Sequence, residues 1–175
     1  MTTSKKPSRT IFPADQKSLI KSLGKKALLE NLRRMLMIRN FEVRAESAYL
    51  QGKVGGFFHS YIGQEAIQTA ALHAMGPENW WVTTYRCHAL ALLLGATPDE
   101  LMAELYGRST GNAKGRGGSM HFYTERLLGG FGIVGGKSPS QLERPLPSNI
   151  SRKKAKWPSV SLVTGRWHRE RFMSH

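Results

Sequence analysis

Lys114-Gly115-Arg116-Gly117-Gly118-Ser119-Met120-His121 and Gly129-Gly130-Phe131-Gly132-Ile133-Val134-Gly135-Gly136 are the two stretches on which the reading of this chain turns. Without Cβ atoms, glycines let backbone N–H groups close on an anion. The plain counterpart is a pair of surface loops. The first stretch is not a P-loop, which needs Gly-Lys-Ser/Thr ahead of a helix, and no Gly-x-Gly-x-x-Gly is read after a strand. No His/Cys pair has zinc spacing.

Working outward, residues 27–50 contain no Pro or Gly, and Leu28, Leu32, Met35, Leu36 and Phe41 recur at helical spacing, with Glu30, Arg33 and Arg34 interleaved. Gly52, Gly55 and Gly56 close that helix. A second helix is expected over 64–75, with Ile67, Ala70, Ala71 and Met75 on one side and Gly76-Pro77 as its stop. Trp80-Trp81-Val82-Thr83-Thr84 reads as a short strand. Ala89 to Leu94 reads as a buried helix ended by Gly95. Thr97-Pro98-Asp99-Glu100 has an N-cap, a proline at the first helical position and the acid of a capping box, so a helix should run from there to Gly107.

The chain has 175 residues and a net charge of +14. That charge sits at the ends: residues 1–26 hold seven Lys/Arg against one acid, residues 137–175 nine against two, and the stretch between them ten against nine. Basic arms of this kind contact phosphates without specificity, so no specific nucleic-acid partner is expected. No apolar run approaches the roughly 18 residues of a membrane span. The N-terminus lacks the apolar stretch of a secretory signal. A single cysteine, Cys87, excludes an internal disulfide, and the expected location is the bacterial cytoplasm or an equivalent soluble compartment. The expected organisation is a flexible basic arm over 1–26, a domain portion over 27–136 and a disordered tail over 137–175.

Two further clusters carry candidate chemistry. His59 in Phe58-His59-Ser60-Tyr61-Ile62-Gly63-Gln64-Glu65 lies just before a helix start and could point an imidazole into a cleft; a surface histidine is the alternative. In Thr84-Tyr85-Arg86-Cys87-His88, the planar fork of Arg86 suits a diphosphate, with a structural ion pair as the alternative.

Taken in order, these blocks resemble the alpha subunit of the decarboxylating first component of 2-oxo acid dehydrogenase complexes. The matching wording is Gly56-Phe57-Phe58-His59, Ile62-Gly63-Gln64-Glu65-Ala66, Thr84-Tyr85-Arg86 with His88, Leu101-Met102-Ala103-Glu104-Leu105-Tyr106-Gly107, Lys114 to His121 and Gly129 to Gly135. The resemblance covers residues 27–136 and is similar to the pyruvate or acetoin type rather than the branched-chain type. It implies an α/β fold, a doubly wound sheet binding thiamine diphosphate, of which this chain would supply the mostly helical N-terminal portion. It also implies oxidative decarboxylation of a 2-oxo acid, pyruvate in the preferred reading, with acyl transfer to the lipoyl group of an acyltransferase component. Mg2+ and a separate beta subunit, in a two-alpha, two-beta assembly, are implied with it. By the same resemblance His59 would lie near the substrate, Tyr85 and Arg86 would hold the diphosphate, and Gly132 and Val134 would touch the aminopyrimidine. His121 would sit in a mobile loop at the mouth of the site, Thr124 would line the same channel, and His88 would be a further polar contact. Phe131 replaces the Asn or His of the family pattern, and Cys87 a small residue.

After Gly136 the family continues with a buried helix and a Gly-Asp-Gly metal loop, and neither appears; residues 137–175 show no helical or strand period. With one C placed before the Lys137 codon, the same nucleotides can encode Gln-Ile-Pro-Leu-Ala-Thr-Gly-Ala-Ala-Phe-Ala and, from Val163 onward, Gly-Asp-Gly-Ala-Val-Ala-Gln-Gly-Ala-Phe-His-Glu-Ser. The expectation is a net loss of one nucleotide after the Gly136 codon. The chain as written would then carry no metal ligand, fold with poor stability, and in the limit be an inactive remnant.

Overall fold

The computed structural model describes residues 16–132. Val134 and the whole of 137–175, including the expected tail, lie outside them.

Helix α1 runs from Gln16 to Leu50 and is broken at Gly24, whose φ of 76° and ψ of 154° are not helical. The arm assigned to 1–26 is therefore helical from Gln16. Gly24 marks the break because only glycine adopts that conformation without a steric cost. The face α1 buries also differs from expectation. Ile38, Phe41, Glu42, Ala45 and Ala48 form the inner row, whereas Leu32 and Leu36 are 49% and 54% exposed and continue an outward row with Leu29, Val43 and Leu50. Both rows have helical spacing, and periodicity alone does not say which one meets the core. The stretch after α1 ends in helix α2, Glu65–Met75, where Ile67 is exposed and the buried residues are Glu65, Gln68, Thr69 and Leu72.

Strand β1, Trp81–Thr84, is followed by helix α3, His88–Leu93, and helix α4, Pro98–Leu105. The capping box of α4 is formed: the Glu100 N–H donates to Thr97 Oγ1 at 3.2 Å and the Thr97 N–H to Glu100 Oε2 at 3.0 Å. α3 sits almost wholly in the core with Trp81, Leu101, Leu105, Phe122 and Leu127.

Strand β2, Leu127–Phe131, corrects the expected glycine loop over 129–131, and residues 133–136 of that loop lie outside the described residues. It pairs in parallel with β1, Thr83 opposite Gly130 and Thr84 opposite Phe131. The glycines had argued against a strand, but here they permit a close approach. A Cβ on Gly130 would overlap the Met120 carbonyl and stand 2.8 Å from the Thr84 carbonyl. Gly130-Phe131-Gly132-Ile133-Val134-Gly135 thus spells a Gly-x-Gly-x-x-Gly that starts in a strand, with its last three residues beyond the described region. Among the described residues the architecture is helical with a two-stranded parallel sheet.

Candidate functional site

The register Thr84 opposite Phe131 brings the carboxyl ends of both strands side by side, so Tyr85 and Arg86 emerge next to Gly132. In open parallel sheets this carboxyl edge is where ligands bind. Across it lies the segment between α1 and α2. The His59 ring packs on Tyr85 with centroids 4.3 Å apart, and the Arg86 guanidinium lies 5.6 Å from the Tyr85 ring centroid. Arg86 Nη1 donates to the Ser60 carbonyl, while its buried Nε has no hydrogen-bond partner. A buried donor without an acceptor is costly, and one on a guanidinium suits an anionic oxygen.

Burial first, then the charge of Arg86 and further the nearby His88, hold the His59 imidazole below its ordinary value. The folded chain therefore binds its proton less readily than the unfolded chain. The stability tied to His59 is complete above about pH 6.5, the ordinary imidazole value, and is lost as pH falls through the depressed folded value. Proton NMR of the His59 ring should show a midpoint below that of an unfolded histidine; a midpoint at or above it would contradict this packing.

Of the remaining sequence-based candidates, His121 lies between the glycine loop and β2, its Nδ1 2.9 Å from the Gly130 carbonyl. Thr124 turns its side chain inward to the chain, accepting the Leu127 N–H at 3.0 Å, and so closes the turn into β2. Gly132 sits at the strand end beside Tyr85 and Arg86.

The loop over 111–118 does enclose an anion, but an internal one. The wholly buried Glu104 carboxylate accepts N–H groups from Ala113 (2.9 Å), Gly115 (2.8 Å), Gly117 (2.6 Å) and Gly118 (3.2 Å). The backbone bends to do so: Lys114, at φ 57°, is the non-glycine residue with positive φ among those described. Concave runs of N–H groups of this kind bind anions, and this one is filled by α4. The sequence reading found the anion-binding backbone and not its occupant.

It also missed a buried polar net. Glu42 Oε1 lies 2.7 Å from His88 Nδ1, with both side chains fully buried, and Glu42 Oε2 accepts the Tyr61 N–H at 3.0 Å. His88 Nε2 lies 2.8 Å from Ser119 Oγ, which accepts the His59 N–H at 3.3 Å. Nothing in spacing marks Glu42, which looks like any charged residue on a helix. His88, expected as a further polar contact, is wholly buried. Arg39 and Glu65 form a further ion pair at 2.5 Å, which holds the Glu65 carboxyl below its usual range. Burial pushes the Cys87 thiol up to about 12. Among the described residues no group of three His, Cys, Asp or Glu side chains could hold a metal ion, and no helix is long and apolar enough to cross a membrane.

The described residues thus form a helical unit with a parallel strand pair, at whose carboxyl edge Tyr85 and Arg86 face His59. A family profile described as Dehydrogenase E1 component matches residues 33–159, and the chain belongs to that family. A probable pyruvate dehydrogenase E1 component subunit alpha, mitochondrial, of Caenorhabditis elegans is 45% identical over 118 residues, covering 67% of this chain and 30% of the relative. The pyruvate dehydrogenase E1 component subunit alpha of Rickettsia bellii is 43% identical over 117 residues, 66% of this chain and 36% of the relative. A type I mitochondrial alpha subunit of Ascaris suum is 47% identical over 105 residues, 60% and 26% of the two chains. The chain thus spans roughly a third of the length of these relatives.

Proposed function

We propose that this chain is part of a pyruvate dehydrogenase alpha subunit. It would act with a beta subunit and Mg2+-bound thiamine diphosphate to decarboxylate pyruvate and pass the acetyl group to the lipoyl group of an acyltransferase component. The relatives' names support the substrate. The observation that carries the cofactor reading is the strand-edge cluster, where Arg86 keeps a buried donor without an acceptor beside Tyr85 and His59. These residues fit a diphosphate: Arg86 and Tyr85 would bind it, and Gly132 and Val134 would border the ring system. The cofactor, when bound, supplies the electron sink for loss of CO2. His59 and His121 provide polar groups on the substrate side, and His59, held neutral by its surroundings, can accept or relay a proton at its imidazole. The setting is a soluble compartment, bacterial or mitochondrial as in the relatives.

The Mg2+ ligand is proposed to lie in the Gly-Asp-Gly encoded when one C is restored before the Lys137 codon. Resequencing the source DNA across the Gly136–Lys137 junction tests this: an extra C supports it, and the same sequence makes the shift a real mutation.

The functional test uses the frame-restored chain with its beta subunit. Saturable, Mg2+-dependent thiamine diphosphate binding and pyruvate-dependent CO2 release are expected. Arg86→Ala should weaken cofactor binding by about 10- to 100-fold, the worth of a hydrogen bond to a charged group. Unchanged affinity in that variant, or no saturable binding by the parent, would remove the reading.

A further inference from the structure

The buried net converges on three consecutive residues. The His59 N–H donates to Ser119 Oγ, the Ser60 carbonyl accepts from Arg86, and the Tyr61 N–H donates to Glu42. Each backbone group of this short strap is thus held by a different part of the fold: the 3-10 turn Gly118–Met120, the link after β1, and α1. Behind the strap the holders are joined to one another. Glu42 Oε1 lies 2.7 Å from His88 Nδ1, and His88 Nε2 lies 2.8 Å from the Ser119 hydroxyl and 3.0 Å from the Ser119 carbonyl. The Cys87 thiol donates to the same Ser119 carbonyl at 3.6 Å.

The order acid, histidine, serine matches that of hydrolytic triads. It is not a nucleophile here, since Ser119 is 2% exposed and His88 wholly buried, and the hydroxyl is committed on both sides. The net ends on backbone groups, the His59 and Tyr61 N–H and the Ser119 carbonyl.

We propose that Glu42, His88 and Ser119 are positioning residues that fix the His59 ring against Tyr85 and Arg86 by clamping the 59–61 strap. The proposal rests on the reading of His59 as the group that faces substrate, but its geometry does not need a bound cofactor. The residues around the ring are Phe57, Tyr85, Arg86 and, behind them, His88. A ring freed from the strap leaves that surrounding.

The test is made on the 175-residue chain. In the wild type, amide hydrogen exchange at His59 and Tyr61 should be slowed together, and exchange of either at the rate of an open loop overturns the clamp. Ser119→Ala removes the acceptor of the His59 N–H and the hydroxyl beside His88 Nε2. With far-UV circular dichroism unchanged, exchange at His59 should speed by about tenfold, and the imidazole midpoint should rise toward the ordinary histidine value. Ser119→Thr keeps the hydroxyl and should restore both. A midpoint that stays at the wild-type value in Ser119→Ala overturns the proposal, because a merely structural serine would leave the ring's titration where it was. Thiamine diphosphate binding by the frame-restored chain is scored separately. Loss of binding there with an intact strap here overturns the functional reading alone, and the converse overturns the strap alone.

Discussion

Glu104→Ala is expected to destabilise the chain by about 3 kcal/mol, since four backbone N–H groups lose an acceptor whose side chain is wholly buried. The loop cannot simply relax inward. Gly111 packs so tightly on the Glu104 backbone that a Cβ would stand 2.5 Å from its Cα. It must open, and Ser119 and His121, just beyond the last donor, would move with it. Glu104→Gln separates charge from shape. Its single carbonyl can serve one pair of donors, but the amide nitrogen then faces the other pair, donor against donor, and about 2 kcal/mol should still be lost. Urea denaturation of the three chains measures the loss, and amide exchange at Gly115, Gly117 and Gly118 locates it. Wild-type stability with protected glycine amides in Glu104→Gln would show that the carboxylate does not hold the loop.

Gly130→Ala should cost about 3 kcal/mol and displace β2. The added methyl meets the Met120 carbonyl, the Thr84 carbonyl at 2.8 Å and Cys87 Sγ at 3.1 Å. The first two are backbone atoms, so no side-chain rotation relieves the overlap. Because the Gly130 carbonyl also contacts His121 and its neighbour Phe131 sets the strand register, His121 and the strand-end site should shift together. Gly55→Ala is the control: its Cβ meets nothing within 4 Å, and a change within about 0.5 kcal/mol is expected. Equal thermal midpoints for the two alanine variants would show that β2 yields where the geometry says it cannot.

Features read from short, local rules were legible in the sequence. The capping box at Thr97 and Glu100 is one, because both partners lie within one helical turn. The block wording around His59, Tyr85 and Arg86 is another, and the fold does bring these three together. What failed depended on contacts distant in sequence. Leu32 and Leu36 look like core residues, but which apolar row of α1 turns inward is decided by α2 and α3, not by α1. Glu42 and Glu104 look like solvated helix acids; their partners lie on other segments and are largely main-chain groups, which carry no sequence signature. Gly129 and Gly130 suggested a loop because glycine is poor in strands, and that penalty was outweighed by the need for space beside Met120 and Thr84. Of the expected doubly wound sheet, the described residues show two parallel strands.

The filled glycine loop has a consequence for how this region answers to its solution. Glu104 is tethered nine to fourteen residues from the donors it serves and is carried on a fixed helix, so it acts as an intramolecular counter-ion. Even short flexible tethers give an effective concentration in the millimolar range, and a helical one wastes less of it. Free phosphate, sulfate or a diphosphate below that range cannot displace it, and buried pairs are little screened by salt. The order of residues 111–118 is therefore set before any ligand arrives and stays the same across ionic strengths, so the anion of the proposed reading would be met by Arg86 at the neighbouring strand edge and not by this loop.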